Sequence, residues 1–161
     1  MIFLAEDAPH KSLLQSLGIP RKGILLLGSK GNVIKSLRDR PGDMGMVDED
    51  PESIQTQPRE LANYQEVDRG EGLRLLARKG HTNQKLVVLC PRIEDWLIQR
   101  AKLCDIDPTR YYLRSTPKEL KELIHYEQKE GFRRFLEELN ERDNGMHLLR
   151  RWVFEKESLL K

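Results

Sequence analysis

Cysteine is scarce in this 161-residue sequence: Cys90 and Cys104 are the whole complement. Two thiols so far apart make neither a CxxC pair nor a four-ligand zinc site, and they cannot form a disulfide framework. Reduced thiols in a cytoplasm are the expectation. A dominant charge is lacking too. Twenty-eight Lys and Arg face 26 Asp and Glu, a net charge of +2, which is too mild to argue for nucleic acid by itself. No apolar run approaches the roughly 20 residues that span a bilayer, so no membrane helix is expected. The first residues, Met1 to Asp7, carry no basic leader and turn acidic at once, so no secretory signal is expected either. What remains is a polar globular chain, 38% hydrophobic and 34% charged, long enough for one domain or for one domain with a helical extension.

Strand and helix patterns alternate along the first half. Ile2 to Ala5 is a short apolar run, followed by Glu6, Asp7 and Pro9. Leu13, Leu14 and Leu17 then recur at helical spacing before Gly18. Ile24 to Leu27 is a second apolar run, bounded by Gly23 and Gly28 and suited to a strand buried on both faces. Val33, Ile34 and Leu37 give a helical face that ends before Pro41-Gly42. Met44 to Val47 reads as a weak third strand, interrupted by Gly45 and running into Asp48-Glu49-Asp50-Pro51. From Glu52 to Gly70 the apolar residues thin out and a loop or partly ordered insertion is expected. A fourth strand is expected at Leu73 to Ala77. The clearest strand is Lys85 to Cys90, followed by a helix marked by Ile93, Trp96, Leu97 and Ala101.

After Asp107-Pro108 the pattern becomes helical. Thr116-Pro117-Lys118-Glu119 is a capping box with proline at the first helical position. Breaks are expected near Gly131 and at Asp143-Asn144-Gly145. Leu120, Leu123, Ile124, Phe132, Phe135, Leu136 and Leu139 form one apolar stripe, and Leu148, Leu149, Trp152 and Val153 another. Such faces pack over the sheet or against a second copy, so a homodimer through the C-terminal helices is one expectation. The expected division is residues 1–105 as an α/β domain and 106–161 as a helical extension.

The strand order implies an α/β fold with a parallel sheet flanked by helices and right-handed crossovers. Ligands of such sheets lie outside the carboxyl ends of the strands. Glu6 follows the first expected strand, and Asp48 and Asp50 follow the third. Three carboxylates brought together repel unless a cation binds. Oxygen donors of this kind favour Mg2+ or Mn2+, ions that keep water and contact phosphates. Alternation in an extended segment places Asp48 and Asp50 on one side.

The segments "IFLAED…HKSLLQSLG", "GILLLGSKGNVIKSL" and "GMVDEDPES" together resemble the Toprim domain of topoisomerases, bacterial primases, recombination proteins and overcoming-lysogenization-defect nucleases. Its pattern has a glutamate after the first strand and D-x-D after the third, matched here by Glu6 and by Asp48 and Asp50. The resemblance implies a Toprim/Rossmann-like sheet and Mg2+-dependent phosphodiester chemistry on DNA or RNA. Glu6 would handle protons, and Asp48 and Asp50 would hold metal. "VVLCPRIEDWLI" resembles a proline, glutamate, tryptophan motif of small stand-alone Toprim-like proteins, adding Glu94 to the same edge. Asp7 and Glu49 are further candidates. Proteins of this kind often work beside an ATPase.

Plainer readings stand next to these. Asp48 to Pro51 suits a solvated acidic turn. Glu6 and Asp7 suit the N-terminus of the first helix, where negative charge is favourable. Gly28, Lys30 and Gly31 open a helix and could hold a phosphate on backbone N–H groups, or make a tight turn. Glu94 and Asp95 suit the first turn of their helix, and Trp96 suits the core. His10, His81, His125 and His147 show no metal-ligand spacing; His10 lies close to Glu6 and could face the site, but a surface helix position is the expectation. Arg133-Arg134 and Arg150-Arg151 are diluted by acidic neighbours into a solvated face. Two other functions fit the same residues: a non-catalytic Toprim-like partner protein, and a receiver-like signalling domain phosphorylated on Asp48.

Overall fold

A computed structural model of the chain describes residues 1–51 and 59–154. Its sheet has six strands: β1 (Phe3–Ala5), β2 (Ile24–Leu26), β3 (Met44–Asp48), β4 (Tyr64–Gly70), β5 (Leu73–Arg78) and β6 (His81–Leu89). Their order is β2-β1-β3-β6-β5-β4. β2, β1, β3 and β6 run parallel, whereas β6, β5 and β4 form an antiparallel meander. The helices are α1 (Ala8–Ser16), α2 (Lys30–Arg38), α3 (Ile93–Leu103), α4 (Pro117–Glu122), α5 (Glu130–Arg142) and α6 (Asn144–Phe154). The fold is therefore α/β, with a mixed sheet and C-terminal helices. None of these helices is long and apolar enough to cross a membrane.

Strand alternation divides the core in two. Met44 and Met46 of β3 face one side, with Phe3, Ala5, Leu75, Val87 and Leu89 of its neighbours. Leu13 and Leu14 of α1, Trp96 and Leu97 of α3, and the tail residues Phe135, Leu149 and Trp152 cover that side as one cluster. Apart from Ile124, the residues of the tail's apolar stripes lie in or against this cluster. Leu4, Val47, Leu86 and Val88 face the other side, under Val33, Ile34 and Leu37 of α2. Gly45 lies there. A Cβ on it would come 2.8 Å from Val33 Cγ1 and 2.9 Å from Leu86 Cδ1. The residue that weakens β3 as a sequence pattern is the one that lets α2 approach the sheet.

Three expectations are corrected. β2 is an edge strand paired only with β1, so Leu25 and Leu26 are 39% and 46% exposed rather than buried on both faces. The expected loop from Glu52 to Gly70 lies outside the described residues at 52–58; beyond them come a 3-10 turn, Arg59–Asn63, and β4. β4 escapes a hydrophobic pattern because it is the other edge, with Tyr64 its one buried residue. Ile124 leaves the apolar stripe, since it lies beyond the end of α4 and is 79% exposed.

The tail begins as the capping box implies: Thr116 Oγ1 accepts the Glu119 N–H at 3.2 Å. Gly131 sits against residue 111, where a Cβ would fall 1.9 Å from the Tyr111 carbonyl oxygen.

Candidate metal centre at the carboxyl edge of the sheet

β1 and β3 are adjacent and parallel, with Ala5 opposite Met46. The residues that leave their carboxyl ends therefore meet. Glu6 N–H donates to the Met46 carbonyl at 3.2 Å, and Glu6 Oε1 accepts the Asp48 N–H at 3.1 Å. Asp7 caps α1 by accepting the Ala8 N–H at 3.0 Å. With Pro9 in the first turn, the helix starts abruptly enough to turn His10 back onto the same edge. His10 Nε2 donates to Asp48 Oδ1 at 2.7 Å, since an ionised carboxylate only accepts. The same oxygen accepts the Ile93 N–H at the start of α3, at 2.9 Å.

One donor atom each from Glu6, His10 and Asp48 lies within 4.8 Å of the other two, close enough to hold one ion. His10 is 1% exposed, so it is not the surface residue its helix position suggested. It lies four residues beyond Glu6, the nearness that already allowed it to face the site. Its other ring nitrogen, Nδ1, is buried and has no hydrogen-bond partner among the described residues. A buried polar atom left unpaired costs about 1–3 kcal/mol, so the protein groups alone leave this imidazole half satisfied. Two carboxylates and an imidazole fit a divalent ion.

Asp50 departs from the D-x-D expectation. β3 ends at Asp48, and Asp50 takes φ +48°, outside the extended alternation that would aim it with Asp48. Its carboxylate meets Arg92 at 2.9 Å. Glu49 turns toward the meander, with its carboxylate 3.7 Å from Arg74. Lys30 donates to the Glu49 carbonyl at 2.6 Å, so its ammonium stands beside the acidic edge. The turn at Gly28 has φ +86°. After it, Ser29 caps α2 by accepting the Asn32 N–H at 3.1 Å. Gly31 has nothing within 4 Å of where a Cβ would stand.

Glu94 follows Ile93 into α3 and is 7% exposed. Its Oε2 accepts the Tyr126 hydroxyl at 2.5 Å. Tyr126 comes from the tail, and no spacing in the sequence announces the contact. Trp96 is fully buried in the core, with Nε1 donating to the Glu71 carbonyl at 2.8 Å.

The electrostatics follow from burial among like charges. Burial, with the charge of Asp48, pushes the Glu6 carboxyl above its ordinary value, against the opposing pull of His10 and Lys30. Burial raises Glu94 as well, and Asp48 adds to it. Burial pulls His10 downward, but its hydrogen bond to Asp48 and the charges of Asp48, Glu6 and Glu94 outweigh that and raise it. Burial lowers Lys30 despite the surrounding carboxylates.

A cavity of about 320 Å³ adjoins this edge and is lined by Lys30, Glu49, Pro51, Arg74, Leu76 and Val88 among others. A more enclosed groove of about 420 Å³ lies against Ser12, Gln15 and Ser16, on the side of α1 away from His10. It holds none of the converging residues.

No family model matches the chain, and neither a curated protein nor a solved structure matches it.

Proposed function

We propose that the chain is a divalent-metal-dependent enzyme of phosphodiester chemistry, nuclease-like, acting on DNA or RNA. The observation that carries this reading is the convergence of Glu6, His10 and Asp48 at the ends of two adjacent parallel strands. The resemblance to the Toprim pattern supports it at Glu6 and Asp48, and supports it less at Asp50, which is paired with Arg92. A bound divalent ion would supply charge stabilisation at a phosphoryl oxygen and an activated water. Asp48 is oriented for such an ion by His10 and the Ile93 N–H. Glu6 is the more open of the two carboxylates, which leaves it the better placed to meet a reacting oxygen beside the ion. Lys30 and Arg74 line the adjoining cavity and would meet substrate phosphates.

One observation favours a second reading, a non-catalytic partner protein with the same fold. The acidic edge is already met by the chain's own cations Lys30, Arg74 and Arg92. A receiver-like role fits less well, because the Asp48 side chain is 12% exposed and one of its oxygens is held twice.

The deciding experiment is incubation of the protein with supercoiled plasmid, single-stranded DNA and RNA in Mg2+ or Mn2+, with EDTA as control. Metal-dependent cleavage that is lost in both Glu6→Gln and Asp48→Asn is the expected result. Cleavage that persists in both variants, or none under any metal, would overturn the enzyme reading.

A further inference from the structure

An imidazole at a carboxylate edge changes which ion that edge selects. Hard oxygen donors alone suit Mg2+, which demands near-ideal octahedral geometry and dehydrates reluctantly. Imidazole nitrogen shifts preference toward transition ions. His10 is not a bystander that could swing away. It is 1% exposed, its ring is 2.7 Å from Asp48 through Nε2, and its helix is fixed at the start by the Asp7 cap and below by Leu13 and Leu14 in the core. His10 offers a ring nitrogen within 4.8 Å of donor oxygens of Glu6 and Asp48, so it would meet an ion they held; to ligate through Nε2 it would give up the proton that Nε2 now donates to Asp48. Its Nδ1 is buried with no hydrogen-bond partner among the described residues, so the ring is not fully satisfied by the protein groups around it.

Asp50 strengthens the case by its position. Were it beside Asp48, three carboxylates would make an all-oxygen site. With Asp50 held by Arg92, nitrogen makes up one of the three converging donors.

Resting on the metal reading above, we infer that His10 is a metal ligand and makes this a site for a transition ion of the Mn2+ or Zn2+ class in preference to Mg2+.

The test reads binding, not turnover. Zn2+, Mn2+ and Mg2+ are titrated separately into wild type and His10→Asn by calorimetry, after circular dichroism has checked the fold. The Zn2+ and Mn2+ dissociation constants are expected to weaken by roughly tenfold or more in the variant, the scale on which lost support of a metal site is felt. The Mg2+ constant is expected to change much less. Histidine-ring nuclear magnetic resonance on the wild type covers the case in which the variant fails to fold. Zn2+ is then expected to shift the His10 ring signals at the concentration that saturates the calorimetric site. Ion binding with unmoved His10 signals, or an ion preference unchanged in the variant, would overturn His10 as a ligand and leave the metal reading standing. Absence of any ion binding would overturn both.

Discussion

His10 and Asp48 are held 2.7 Å apart, nitrogen to oxygen, although 38 positions separate them in the chain. Around them Glu6 and Glu94 are also raised in proton affinity, burial being the largest cause for each. His10 is raised because its bond to Asp48 and the nearby carboxylates overcome its burial. A folded state that binds more protons than the unfolded state loses stability as pH rises. These contributions are complete below the free values, 4.5 for the carboxyls and 6.5 for the histidine. They are lost as pH climbs through the raised folded values. Glu66 and Glu130, from 4.5, and Asp107, from 3.8, are depressed and act the other way, but only as pH falls below those values. In EDTA, Tm is expected to fall from about pH 5 to about pH 8, and to fall less steeply in Glu94→Gln. A Tm that rises over that window contradicts the arrangement.

Arg100 and Asp143 make a buried charge pair elsewhere in the fold. Arg100 Nε lies 2.9 and 3.0 Å from the two Asp143 oxygens, and its Nη2 reaches Glu71 Oε2 at 2.8 Å. Asp143 also accepts the Met146 N–H at 2.9 Å, starting α6. Removing Asp143 leaves the buried Arg100 with only the partly exposed Glu71 carboxylate, and breaking a buried pair costs about 3–5 kcal/mol. Asp143→Ala is expected to lose stability on that scale in urea denaturation. A loss below about 1 kcal/mol would show that the pair is not shielded from water.

Gly45→Ala tests the contact between α2 and the sheet. Val33 and Leu86 would both have to give way, and overpacking of this kind costs about 1–3 kcal/mol. Gly31→Ala is the control. Its Cβ would meet nothing within 4 Å, and alanine is the better helix former by about 1 kcal/mol. Thermal melts are expected to drop for the first and hold or rise for the second.

Burial pushes the Cys90 thiol up to about 11, with Glu49 adding to it. The thiolate is the reactive form. Alkylation by iodoacetamide at about pH 8, followed by peptide mass spectrometry, is expected to be slower at Cys90 than for a free thiol in unfolded chain. Equal rates would place Cys90 in a more polar setting than its present one.

The parallel half of the sheet was legible because β1, β3 and β6 are apolar runs with helical patterns between them. β2 reads the same way, but a three-residue apolar run does not report whether a second neighbour exists. β4 is an edge strand with polar faces and carries no such run. At the site, Glu6 and Asp48 followed from strand order. Asp50 did not, because the turn that carries it out of line with Asp48 follows from local backbone conformation, not from spacing. The nearness of His10 to Glu6 was visible, but spacing alone does not say whether it faces the site or solvent, and Tyr126 comes from a segment more than a hundred residues beyond Glu6.

The most direct test is calorimetric titration of Mn2+ into wild type and into Asp48→Asn, with both folds checked beforehand by circular dichroism. A single saturable site in wild type that disappears in the variant is expected if Glu6, His10 and Asp48 hold an ion. No binding in wild type, or equal binding in the two proteins, would contradict the metal centre.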